Sequence, residues 1–243
     1  MVGESSLELL ANGQTPERYL RNIGTIGLAG QERLLKSRVA VVGAGGLGGL
    51  VVELLARMGV GYLKVIDGDV FALHNLNRQV LSTEQNMERN KAQIAAQRVK
   101  SINSDVQVEP VAEMLDESNG ERLLKGMDVV VDALDTFSSR MLLGRVTAEL
   151  KIPLVHAAIA GFAGQVMTVM PGDKSFDNLF RSKPPANRGI ETTLGNPAGT
   201  PALAASLEVQ EVVKILTGTG EPIRNKLLYF DTQYNLFEFV KLE

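Results

Sequence analysis

An α/β fold built on a doubly wound, Rossmann-like and mostly parallel sheet follows from three observations. Short apolar runs alternate with segments of helical period. Two of the runs, at 39–42 and 128–131, are near-continuous in β-branched residues, as strands covered on both faces require. A glycine turn, VAVVGAGGLG, then joins the first run to a helix.

From the N-terminus, Thr15 is a candidate cap before RYLRNI in a helical segment over 15–37. Strands are expected at 39–42, 62–66, 106–111, 128–131 and 154–157, with helices at 47–58, about 89–102, 116–124 and 138–150. The pattern changes after residue 160. A strand at 164–170 precedes an irregular stretch over 171–199, rich in Gly, Pro, Asn, Ser and Lys. So long a connection points to a functional loop. A helix at about 202–216 ends at Gly218, and strands at 226–230 and 236–240 form an antiparallel pair through DTQYN, continuing the sheet.

With 243 residues, 44% of them apolar, the chain suits a single sizeable domain. Its net charge of −3 is spread evenly, which offers no basic face for nucleic acid and no polybasic membrane anchor. No stretch approaches about 18 uninterrupted apolar residues, and the first residues do not read as a signal peptide, so a cytoplasmic protein is expected. The sequence contains no cysteine. That excludes disulfides, cysteine-ligated zinc and any thioester formed by these residues.

The glycine turn carries the first functional signal. Gly43 permits the tight turn, Gly45 lets a phosphate approach the backbone, and Gly48 lets the helix pack on the sheet. The amides at that helix start attract phosphate, and Asp67, ending LKVID, can accept ribose hydroxyls. Alone, this pattern does not separate a dinucleotide from ATP. Other polar residues gather near strand ends: Asp69, the loop HNLNRQ at 74–79, Lys91 at a helix start, and Asp135 in VVVDALDT. Each has a plainer reading, Arg78 as a surface arginine, Lys91 as a solvated lysine, Asp135 as a helix cap and His74 as a loop residue. Together, an arginine, a lysine and a carboxylate beside a glycine cradle suit a triphosphate with magnesium.

These residues lie in stretches that resemble the MoeB/ThiF/HesA family of ubiquitin-activating-type adenylyltransferases. The matching stretches are RYLRNIGTIGLAGQERLLKSRVAVVGAGGLGG, LKVIDGDVFALHNLNRQVL, NKAQIAAQRVKSIN, DVVVDALDTFSSR, IPLVHAAIAGFAGQVMTVMPG and SLEVQEVVKILTG. The resemblance implies an enzyme that uses ATP and Mg2+ to adenylate the C-terminal glycine of a small ubiquitin-like sulfur-carrier protein ending in Gly-Gly, releasing pyrophosphate. It maps Gly43, Gly45, Gly46, Gly48, Asp67, Asp69, His74, Asn75, Asn77 and Thr136 onto nucleotide binding. Arg78 and Lys91 fall at the phosphates, and Asp135 at the magnesium. Arg21 matches an arginine delivered into the partner's site, which implies a homodimer. A nucleotide-binding half at 38–160, a carrier-binding half at 161–243 and a crossover loop at about 173–199 follow.

The departures are informative. Many relatives carry two CxxC pairs for structural zinc, which this chain lacks, and Thr192 and Thr193 stand in the loop where some carry a cysteine. Thr136 replaces an asparagine frequent in the family. Two alternatives stay open: a catalytically reduced, nucleotide-binding regulatory or scaffold member, and an NAD-dependent dehydrogenase.

Overall fold

The fold is that of a computed structural model, which describes residues 5–180, 187 and 189–242. Its elements in chain order are α1 (Ser6–Ala11), α2 (Leu20–Lys36), β1 (Arg38–Val42), α3 (Gly48–Met58), β2 (Tyr62–Ile66), α4 (Lys91–Ile102), β3 (Gln107–Val111), α5 (Gly120–Leu124), β4 (Val129–Asp132) and α6 (Phe137–Leu150). There follow β5 (Leu154–Ala160), β6 (Ala163–Val169), α7 (Ser175–Leu179), α8 (Glu191–Leu194), α9 (Gly199–Thr217), β7 (Lys226–Asp231) and β8 (Leu236–Lys241). Among the described residues, no helix is long and apolar enough to cross a membrane.

All eight strands form one sheet, in the order β3-β2-β1-β4-β5-β6-β7-β8. The pairs from β3 to β5 are parallel, and those from β5 to β8 antiparallel. The strand order reverses between β1 and β4, so the crevice at their carboxyl ends is the place where such a sheet gathers ligands.

Alternation along the strands divides the core. Val39, Val41, Leu63, Val65, Val129, Val131 and Val155 face α3, α4 and α9. Ala40, Val42, Ile66, Val130 and Leu154 face the other side, with Leu123 of α5 and Leu143 and Val146 of α6. Both faces are covered, which explains the unbroken apolar runs of the central strands.

Three local expectations need correction. Thr15 caps nothing: the 3-10 turn after Pro16 has no side-chain cap. The unforeseen α1 is instead capped by Ser5, whose hydroxyl accepts from the Glu8 amide while the Glu8 carboxylate accepts from the Ser5 amide. The helix expected from 116 begins only at Gly120, because Asp116 accepts the amides of Ser118 and Asn119 and holds that segment as a turn. The stretch expected to be irregular contains α7 and α8, while 181–186 and 188 lie outside the described residues.

Candidate functional site

The turn after β1 and the turn after β4 touch. Gly43 has φ +98°, and a Cβ there would stand 2.5 Å from the Ala133 carbonyl oxygen. At Gly48, a Cβ would stand 1.9 Å from the Gly43 carbonyl oxygen, so α3 can start only on a glycine. Gly45 and Gly46 differ. A Cβ there would meet no atom closer than 3.6 Å, since both border a cavity of about 290 Å³.

That cavity lies at the strand ends. Besides Gly43, Gly45 and Gly46, it is lined by Asp67, Asp69, Arg78, Lys91 and Asp135. Asp67 is fixed by accepting the amides of Ala44 at 2.7 Å and Asp69 at 2.8 Å. Burial raises its carboxyl above the ordinary range, although the Ala44 amide and the nearby Lys91 oppose the shift. Asn90 caps α4 and donates to the carbonyls of Asp67 and Asp69, which brings Lys91 to the cavity. Lys91 is buried with its ammonium 3.1 Å from Asp69, so it is no solvated helix-start lysine.

Arg78 donates through one amino group to the His74 carbonyl at 3.0 Å and to Asn77 Oδ1 at 2.8 Å, and its side chain lines the cavity. Asp135 is exposed at the rim, between β4 and α6. Cationic and anionic side chains thus share the cavity with turn glycines that have no side chains. A polyanionic ligand with a polar sugar suits that arrangement.

Other expected residues sit elsewhere. His74 is exposed and does not line the cavity. Asn75 is buried and its side chain serves the backbone, Oδ1 accepting the Ala72 amide. Asn77 faces a neighbouring recess and donates to the Asn196 carbonyl. Thr136 caps α6, its hydroxyl oxygen accepting from the Ser139 amide, which satisfies one of the free donors of the first turn. Arg21 is exposed on the first turn of α2 and does not line its own chain's cavity.

Gln79, at the end of the HNLNRQ loop, also lines the cavity, and several lining residues escaped the sequence reading: Glu113, Met114, Arg140, Glu191 and Asn196. Arg140 had a signal, lying one turn and a half beyond Asp135 on an expected helix. Beneath the cavity, Asp132 and His156 are fully buried and joined by a 2.7 Å hydrogen bond. A polar residue inside the apolar run LVHAAIA implies such a partner.

The comparisons with known proteins agree on one kinship. The model of the ThiF family matches residues 19–243. The chain is 41% identical over 227 residues to the SAMP-activating enzyme E1 of Haloferax volcanii, covering 92% of this chain and 84% of that protein. It is 36% identical over 224 residues to the sulfur carrier protein adenylyltransferase of Thermus thermophilus, covering 88% and 83%. Against the adenylyltransferase and sulfurtransferase MOCS3 of Arabidopsis thaliana it is 34% identical over 240 residues, 96% of this chain but only 52% of that one. Among solved structures, E. coli MccB with ATP superposes with a TM-score of 0.80 at 21% identity, over 96% of this chain and 73% of that one. At that identity the likeness speaks for the fold.

Proposed function

The chain belongs to the ThiF family, and from that premise we propose that it is an ATP-dependent adenylyltransferase acting on a small ubiquitin-like sulfur-carrier protein. It activates the carrier's C-terminal glycine carboxylate as an acyl adenylate and releases pyrophosphate. One observation carries this reading: Lys91, Arg78, Asp67 and Asp135 converge on one cavity with the glycine turn.

In the proposed reaction a carboxylate oxygen of the carrier attacks the α-phosphorus of ATP. The bond from that phosphorus to the bridging oxygen breaks, and its electron pair leaves on pyrophosphate. No protein nucleophile is needed, which fits a sequence without cysteine. The difficulty is to hold two anions together, so fixed cations and position supply most of the rate. Lys91 and Arg78 offset phosphate charge, the α3 amides meet the phosphates beside Gly45 and Gly46, and Asp67 accepts the ribose hydroxyls.

Among the described residues, no three or more His, Asp or Glu gather into a metal cage. A single carboxylate beside bound phosphates suits magnesium, which binds through one or two carboxylates together with substrate phosphates. Asp135 would hold it, and the ion would neutralise phosphate charge. From the family resemblance we assign Arg21 to the partner's site in a homodimer, a role with which its exposure outside its own chain's cavity is compatible. Residues 38–160 then serve the nucleotide. The half at 161–243 serves the carrier, its edge strand β8 exposing Phe237 and Phe239.

The test is ATP–pyrophosphate exchange with a small β-rich protein ending in Gly-Gly. Exchange should require that carrier and should vanish in Asp135→Ala with an unchanged melting curve. ATP binding without exchange would favour a binding-only member of the family. Nicotinamide binding without ATP binding would overturn the reading altogether.

A further inference from the structure

The segment from Asp132 to Asp135 is held by Asp132 itself and His156, neither of which lines the cavity. Asp132 ends β4 fully buried, and its Oδ1 accepts the Leu134 amide at 3.0 Å. Its Oδ2 lies 2.7 Å from His156 Nδ1. His156, also fully buried, comes from the neighbouring strand β5, where it pairs in register with Asp132. Burial keeps its imidazole below the usual pKa, hence neutral at pH 7. The tautomer follows from the neighbours: Nδ1–H donates to Asp132, while Nε2 faces the amide nitrogen of Gln165 at 3.4 Å.

Above the same turn, Arg140 reaches back from α6. One of its amino groups donates to the Leu134 carbonyl at 2.6 Å, and its Nε lies 3.9 Å from Asp132 Oδ2. The amide of Leu134 is therefore tied to Asp132 and its carbonyl to Arg140, one residue before Asp135. Phe176 and Phe180 close this assembly from the outside, their rings edge-on to the imidazole at 5.5 and 5.6 Å. Water is kept from the Asp132–His156 pair. A polar cluster that satisfies both peptide groups of one residue fixes the local backbone, and in a dry interior it is costly to disturb.

We propose that Asp132, His156 and Arg140 are positioning residues that brace the Leu134 peptide groups and thereby aim Asp135 at the nucleotide's divalent cation. This rests on the reading of Asp135 given above. Neither Asp132 nor His156 lines the cavity, so neither contacts a ligand held there, whereas Arg140 does line it. Groups that orient a metal-binding carboxylate from behind typically control affinity by about ten- to a hundredfold.

The experiment measures Mn2+ affinity by electron paramagnetic resonance, with full-length protein and a non-hydrolysable ATP analogue. Binding of the analogue without metal serves as a second readout. His156→Leu keeps the bulk and removes the donor to Asp132. It should weaken Mn2+ by about tenfold or more and raise the magnesium requirement of exchange, while metal-free analogue binding stays unchanged. His156→Asn, which restores an N–H near the position of Nδ1, should recover most of the affinity. A folded His156→Leu protein that binds Mn2+ like the wild type overturns the brace, provided that Asp135→Ala loses it. If Asp135→Ala also binds normally, the reading of Asp135 falls and the brace with it. Should His156→Leu fail to fold, Arg140→Ala replaces it, since Arg140 reaches the cavity surface and releases the Leu134 carbonyl. Unaltered Mn2+ affinity there would likewise overturn the proposal.

Discussion

Lys91 owes its position to a chain of local decisions. Asn90 accepts the Gln93 amide as the cap of α4 and donates to the carbonyls of Asp67 and Asp69, so the helix starts beside the end of β2. The lysine that follows is driven inward and meets Asp69 at 3.1 Å. A buried cation with a single carboxylate partner at the rim is poised for a second anion. Lys91→Ala should therefore weaken ATP binding by about tenfold or more, the scale of one charge-assisted contact, and Lys91→Arg should recover it only partly because the fork does not replace a point charge. Isothermal titration with ATP checks both, and unchanged affinity in Lys91→Ala would remove it from the phosphate site. At this scale the sequence was readable where a residue's chemistry is unusual for its place: Lys91, Asp67 and Arg78 beside a glycine turn. It was unreadable where identity alone is ambiguous. Asn75 and Thr136 have side chains that serve backbone turns as readily as ligands, and here they serve the backbone.

Among the elements, the central strands were legible because burial on both faces writes an unbroken β-branched run, whereas α1 has only six residues and little periodicity to read. Glu113, Met114 and Arg140 were missed for a different reason: distant segments meet only once the sheet has formed, and spacing along the chain does not encode that. The glycine turn shows how one motif divides its work between elements. Gly48 lets α3 abut the turn, so Gly48→Ala forces the Cβ into the Gly43 carbonyl. A cost of about 2 kcal/mol or more is expected, from overpacking against a backbone that has little room to yield. Gly45→Ala points instead at the cavity, where its nearest neighbour is the Gln79 amide at 3.6 Å. Chemical denaturation should thus separate the two: Gly48→Ala loses stability, while Gly45→Ala keeps it and loses ATP affinity. Equal stability losses would contradict this division.

For the whole molecule, two couplings matter. Glu208 of α9 is fully buried with neither carboxylate oxygen hydrogen-bonded, and burial, reinforced by Asp132, raises its pKa well above the ordinary value. Between the unfolded pKa and this raised folded one, the native state holds more protons than the unfolded chain. Stability therefore falls as pH rises through that window and is fullest below it. Glu208→Gln removes the titration, so its gain in melting temperature should be larger at pH 8 than at pH 4, by a few degrees, which is about 1 kcal/mol for a chain of this size. A gain independent of pH would show that Glu208 is not the titrating group. The second coupling is the one proposed between two copies. If Arg21 of each subunit completes the other's cavity, Arg21→Ala and Asp135→Ala homodimers are each inactive, because every site lacks one of the two groups. In a mixed dimer, the Arg21→Ala subunit keeps an intact Asp135 cavity and receives Arg21 from its companion, so one site of two works. Random exchange at equal amounts makes half the dimers mixed, and activity should return to about a quarter of the wild-type level. An arginine acting within its own chain cannot be complemented, since each subunit would still lack one group. Mixing after subunit exchange, followed by carrier-dependent pyrophosphate exchange, tells the cases apart: recovery places Arg21 across the interface, and a mixture as silent as its components returns it to its own subunit.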